Sequence, residues 1–206
     1  MSLLRYSLYI FFIFSVTACH HEPERLPYLG NIEVRGTDTV YHTIPDITLI
    51  DQDSQLLKIA SLDNKIILAD FFFTSCPSIC PVVKKQMLRL YERYENDDRI
   101  MMISHTIDQR HDSVTVLNRY AHNLGVNTAK WKFVTGEKDS IFHLADQYFV
   151  SVMEDPLAPA GFDHSGRIIL VDPDRKVRGF CEGTDPESVT AFFDTVDQLL
   201  KETYEK

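Results

Sequence analysis

The chain has 206 residues, 44% of them hydrophobic and 25% charged, with 8 Gly and 9 Pro. That is enough for one domain with a sizeable core, and the composition excludes both a disordered chain and a repeat array. A net charge of -9 argues against nucleic acid as the main partner.

Residues 1–5 carry one positive charge, and residues 8–16 (LYIFFIFSV) form a short apolar block. A block this short is a signal-peptide core rather than a membrane span. The sequence Val16-Thr17-Ala18-Cys19 that follows resembles a bacterial lipobox, in which Cys19 is lipidated and becomes the first mature residue. The chain therefore divides into a lipoprotein signal peptide (1–18), a membrane tether (19–43) and one domain (44–206), exported and facing the periplasm from a lipid anchor. Residues 20–39 (HHEPERLPYLGNIEVRGTDT) are polar and without periodicity, as a solvated tether is, with a short strand near 32–34; His20 and His21 belong to that tether.

Two alternating runs, 44–50 and 56–59, flank the turn Asp51-Gln52-Asp53-Ser54 and predict a β-hairpin. Residues 66–73 are nearly continuously apolar apart from Asp70, as in a strand buried on both faces. Over 82–94 the spacing predicts a helix with Val83, Met87, Leu90 and Tyr91 inward and Lys84, Lys85, Arg89 and Glu92 outward. A strand at 99–107, a helix at 114–124 closed by Gly125, a strand at 131–134 and a helix at 138–148 come next. Two strands, 165–171 and 176–181, are joined by Asp172-Pro173-Asp174-Arg175, and a helix at 187–200 closes the chain. Strands alternating with helices predict a thioredoxin-like α/β fold: a mainly parallel central sheet, flanking helices, an N-terminal β-hairpin, and a C-terminal β-hairpin plus helix.

The chemistry centres on FFFTSCPSICP at residues 71–81, where a buried strand runs into a Cys-x-x-x-Cys pair. With Cys19 set aside, Cys76, Cys80 and Cys181 remain, an odd number that argues against a structural disulfide framework. Cys76 and Cys80 are four apart, one helical turn, and a helix N-terminus favours thiolate. Such a pair can bind a soft metal ion or cycle as a disulfide, and its three-residue spacing leaves room to chelate. A third ligand candidate is His164, just before the strand at 165–171, in a loop that faces the cysteine turn in thioredoxin-like folds; position alone leaves it open whether His164 is a ligand. His105, at the end of the 99–107 strand, is an accessory candidate, while His111 reads as a surface residue and Cys181 as a buried thiol. Met101 and Met102 lie inside a strand and read as core. Asp70, on a buried strand, needs a structural partner.

Four segments in order resemble the Sco/SenC family of copper-binding thioredoxin-like proteins: FFFTSCPSICP at 71–81, ISHTIDQRHDS at 103–113, KWKFVTG at 130–136 and DHSGRIILVDPDRKVRGF at 163–180. The resemblance implies copper, as Cu(I) or Cu(II), held by Cys76, Cys80 and His164 in a monomer. It also implies work on the dinuclear copper centre of cytochrome c oxidase, with the copper-bearing oxidase subunit or another copper chaperone as partner. Relatives often show Asp-Pro-x-x-Asp where this chain has Asp108-Gln109-Arg110-His111-Asp112; Asp108 is placed to influence the copper site indirectly. The readings to separate are a metallochaperone, a thiol-disulfide oxidoreductase that uses Cys76 and Cys80 as its redox pair, and a copper or redox sensor.

Overall fold

The computed structural model describes residues 25–205; the signal peptide, Cys19, His20 and His21 lie outside them. Two hairpins open the described chain. β1 (Ile32–Arg35) pairs antiparallel with β2 (Asp38–Tyr41), and β3 (Thr48–Asp51) with β4 (Leu56–Lys58). β1 is the short strand expected near 32–34, and its partner β2 is the one that the sequence pattern did not show. Asp38-Thr39-Val40-Tyr41 does not alternate between apolar and polar residues, and Gly36 at φ 66 makes the turn between the two.

β5 (Ile66–Phe72) is buried at all seven positions, as a central strand covered on both faces must be. α1 (Ile79–Tyr94), β6 (Ile100–Thr106), α2 (Val114–Leu124), β7 (Trp131–Thr135) and α3 (Lys138–Gln147) follow. Gly125 ends α2 in the left-handed conformation, φ 70, as its position implied. A short pair, β8 (Val152–Glu154) with β9 (Phe162–His164), then leads into β10 (Arg167–Val171), β11 (Val177–Glu182) and α4 (Pro186–Tyr204). Asp185 caps α4 by accepting the Glu187 N–H at 2.9 Å.

The main sheet has the order β11-β10-β5-β6-β7-β3-β4. It is mixed: β5, β6 and β7 run parallel at its centre, and the strands on both flanks pair antiparallel. Right-handed crossovers that step from β5 to β6 to β7 in one direction put α1 and α2 on the same face. Lys84 of α1 and Tyr120 of α2 accordingly both meet the Phe72 ring. On the other face Phe71 and His105 pack against Tyr148 at the end of α3. Phe71, Phe72, Phe73, Trp131, Phe133 and Tyr148 are the largest of the fully buried side chains among the described residues.

One side chain departs from the helical reading. Lys84, expected on the outer face of α1, is buried at 3% exposure and points into the sheet. Its Nζ donates to Asp70 Oδ2 at 2.6 Å and to Ser104 Oγ at 2.6 Å, and lies 4.0 Å from the centre of the Phe72 ring. Ser104 in turn donates to Asp70 Oδ1 at 2.5 Å and accepts the Trp131 indole N–H at 2.8 Å. Asp70 thus has the partner its burial required, and every member of the network is bonded. Burial pulls the Lys84 ammonium below the ordinary lysine range, and the Asp70 carboxylate pulls it back up.

Asp70→Asn leaves the Lys84 charge without its counter-ion and is expected to cost about 3–5 kcal/mol of stability. Urea unfolding reads this as a lowered midpoint, which the double variant D70N/K84M largely restores. A midpoint unchanged in D70N shows that the pair does not hold α1 on the sheet.

Candidate metal centre

Beyond β5 the chain turns at Thr74 and Ser75 before α1. Asp112 holds this turn: its carboxylate accepts the Thr74 N–H at 3.0 Å, the Thr74 hydroxyl, and the Thr106 hydroxyl at 2.5 Å. Fully buried and placed 36 positions beyond Cys76, Asp112 positions the cysteine segment. Its signal was the second acidic residue of Asp108-Gln109-Arg110-His111-Asp112, which alone does not say which carboxylate turns inward.

α1 begins at Ile79, two residues ahead of the start that Pro81 suggested. Proline is tolerated there because first-turn N–H groups have no acceptor within the helix. Cys76 therefore lies just before the helix, and Cys80 is its second residue. The backbone N–H groups of Ser78 and Cys80 point at the Cys76 sulfur, whose Sγ is 3.7 Å from Ser78 Oγ. Burial alone would raise the Cys76 thiol, but these N–H groups, with the Cys80 and Ser78 side chains, hold it below the ordinary thiol range. Cys80 goes the other way: burial pushes it far above that range, and a charge on neighbouring Cys76 adds to the rise.

His164 ends β9, opposite Val152 of β8. The glycines after it make room: a Cβ on Gly166 would lie 3.1 Å from Val83 of α1, and one on Gly183 would meet the Gly166 carbonyl oxygen at 2.5 Å. The His164 ring stands edge-on to Phe73, and its Nδ1–H donates to the Ser165 carbonyl at 3.2 Å. That bond leaves the Nε2 lone pair free, aimed at Cys80 Sγ 3.4 Å away. Burial lowers the His164 pKa, which keeps the ring neutral.

The two sulfurs and the imidazole nitrogen lie within 4.8 Å of one another, and all three residues are buried. Both cysteines are free thiols, as is buried Cys181 in β11. Two thiolates and a neutral imidazole form a soft donor set suited to Cu(I) or Zn(II) and unsuited to hard cations. The other candidates lie apart from this cluster. His105 stacks on Phe71 at 4.7 Å, with Nδ1 3.3 Å from the Asp70 carbonyl oxygen, and burial pushes its pKa down to about 4. His111 is exposed and bonded through Nδ1 to Asp108 Oδ2 at 2.6 Å. The Asp108 carboxylate is thus taken up by His111 rather than by the three donors. Met102 is core and Met101 packs at its edge.

Residues 36–200 match the family model described as SCO1/SenC. The chain belongs to the SCO1/SenC family. This Sco-family chain is 31% identical over 143 residues to the SCO1 protein homolog of Bacillus subtilis, covering 68% of its own length and 74% of the relative. It superposes with a TM-score of 0.67, at 26% identity, on BsSco, described as a member of the Sco family of cytochrome c oxidase assembly proteins and as having a disulfide switch; the match covers 77% of this chain and 93% of that one. Arabidopsis thaliana ScoI, solved with copper bound, shares the fold at a TM-score of 0.64 and 22% identity, over 77% of this chain and 98% of its own. The Sco thioredoxin-like fold is therefore the fold of this chain.

In the reduced, metal-free protein, iodoacetamide is expected to alkylate Cys76 well before Cys80, with a pH midpoint below that of an ordinary thiol. Peptide mapping by mass spectrometry checks this, and prior labelling of Cys80 contradicts the assigned thiolate.

Proposed function

We propose that this chain is a copper chaperone that carries one copper ion on Cys76, Cys80 and His164 and helps assemble the dinuclear copper centre of cytochrome c oxidase. The observation that carries the reading is the convergence of two thiols and an unprotonated imidazole nitrogen within 4.8 Å. Membership of the SCO1/SenC family supports it, as do a relative described as an oxidase assembly protein and another solved with copper. Copper is cargo here. The chain supplies two sulfurs and one nitrogen, in a site closed enough to limit oxidation and near enough to the surface for a partner to reach. The proposed recipient is the copper-bearing oxidase subunit or a second chaperone, met by a monomer. We further propose that the domain is exported and held to a bacterial membrane, facing the periplasm, by lipid on Cys19; the apolar block and Val16-Thr17-Ala18-Cys19 support this.

The same residues support a second reading, a thiol-disulfide reductase. The Cys76 thiolate would attack a target disulfide to form a mixed disulfide, and Cys80 would then displace the target's second thiolate. The target gains two thiols, and the Cys76–Cys80 disulfide must be reduced again by a dithiol partner. The lowered Cys76 pKa and its free neighbour favour this chemistry.

Metal analysis of the reduced protein is expected to find one copper per chain, none after oxidation to the Cys76–Cys80 disulfide, and none in Cys76→Ser. His164→Ala is expected to weaken Cu(I) binding by at least tenfold and to alter the Cu(II)–thiolate absorption. Unchanged affinity and spectrum in H164A rule out the three-donor site, and disulfide turnover that survives in H164A without metal favours the reductase.

Copper binding must release the thiol protons, so its apparent affinity should fall as pH drops. The depressed His164 pKa keeps the imidazole out of this competition above about pH 7. Wild type and H164A should therefore share one slope of log affinity against pH in that range, measured by competition with a chromophoric chelator. A shallower slope in H164A contradicts the neutral imidazole.

A further inference from the structure

The stretch ahead of the domain does not run free to Ile44. Arg178, at the start of β11 and only 5% exposed, donates to the Leu26 carbonyl at 2.6 Å and to the Pro27 carbonyl at 3.1 Å. It is held in turn by Asp172 at 3.2 Å and Glu202 at 2.9 Å. Glu202 closes the ring by accepting the Leu26 N–H at 2.7 Å, and the Tyr28 ring covers the guanidinium at 4.3 Å. Leu29 then donates to the Val177 carbonyl at 2.9 Å. Gly30, φ 100, passes where a Cβ would come within 2.6 Å of Phe149. His42 Nε2 bonds the Gln147 carbonyl at 2.8 Å, and the Ile44 N–H bonds Arg175. A buried cation between two carboxylates, spent on backbone carbonyls, is a fixed attachment.

The place of this attachment matters. Val177 stands beside Val171, which stands beside Ile67, at the start of β5. The Tyr204 hydroxyl at the end of α4 bonds the Asn64 carbonyl at the same pole. The cysteines and His164 lie at the other end of β5, whose seven residues span about 20 Å. We infer that this strap is a clamp that points the metal pole away from the membrane; the orientation rests on the lipid-anchor reading proposed above. From Cys19 to Leu26 the chain can reach at most about 25 Å, whereas a loose chain from Cys19 to Ile44 could reach about 85 Å. The clamp cuts that reach more than threefold, so the clamp pole is the part of the domain held nearest the lipid. The partner this arrangement fits is a membrane-bound protein of the same face whose metal-accepting group stands clear of the bilayer.

The test uses the full-length lipidated chain on phosphatidylethanolamine–phosphatidylglycerol vesicles carrying an energy-acceptor lipid. A fluorescent amino acid is placed at exposed Asp63, on the clamp pole, or at exposed Leu157, in the loop between β8 and β9. Transfer from position 63 is expected to exceed that from position 157 several-fold. A Gly/Ser insert of about 20 residues, adding about 70 Å of maximum reach, should erase the difference when placed between residues 24 and 25. The same insert between Gly36 and Thr37, beyond the clamp, should leave it intact. Equal transfer from both positions, or equal response to both inserts, overturns the inference. Hydrogen exchange tests the clamp apart from the anchor, since the Leu26 and Leu29 amides should be protected. Free exchange there overturns the clamp even if the protein floats with vesicles. Protected amides in a chain that does not float overturn the anchor, and the orientation with it.

Discussion

The ammonium of Lys84 sits between the carboxylate of Asp70 and the hydroxyl of Ser104, and this contact joins the helix that carries the cysteines to the middle of the sheet. Asp70 belongs to β5, Ser104 to β6 and Trp131 to β7, so a single bonded cluster ties α1 to the three parallel strands. A buried ion pair is seldom a net source of stability against a well-packed apolar alternative. Here its value is geometric. It fixes the rotation and depth of α1, and with them where the α1 N-terminus presents its backbone N–H groups to Cys76.

From that fixed helix the two thiols diverge in character although they are four residues apart. Cys76 lies ahead of the first turn, over free N–H groups, whereas Cys80 lies inside it and is buried more deeply. One thiol is therefore ready as an anion, and the other needs a metal ion or a proton acceptor to become one. His164 supplies the third donor from 84 positions away. Its Nδ1–H is committed to a carbonyl and its Nε2 faces the sulfur. Copper binding and, on the second reading proposed, disulfide chemistry would be two uses of this one arrangement: the first takes only protons from the pair of thiols, the second protons and electrons.

Asp112 at the metal pole and Arg178 at the opposite pole do similar work. Each is a buried charge that bonds main-chain groups of a distant segment, one at the turn into the cysteines and the other at the strap ahead of the domain. Charges used in this way leave little mark in a sequence, because the partners are backbone atoms and carry no residue type. The strand β2 and the short β8–β9 pair escaped the pattern for a different reason: each is four residues or fewer, too short to show a period.

Hydrophobic period, turn residues and helix stops were local, so the sequence by itself determined the strands of the main sheet, the four helices and the thioredoxin-like order. It also singled out Cys76 and Cys80 as a candidate pair, since their spacing and strand exit lie within one short segment. Whether His164 joins them depended on the path of the 83 residues in between, and residue spacing alone left it open until the family resemblance pointed to it. Only the tertiary structure decided that Nε2 of His164 faces Cys80, that His105 turns to the other side of the sheet, and that Lys84 points inward. These outcomes depend on how elements pack across the core, where a lysine on an apolar helix face finds a carboxylate that no local pattern reveals.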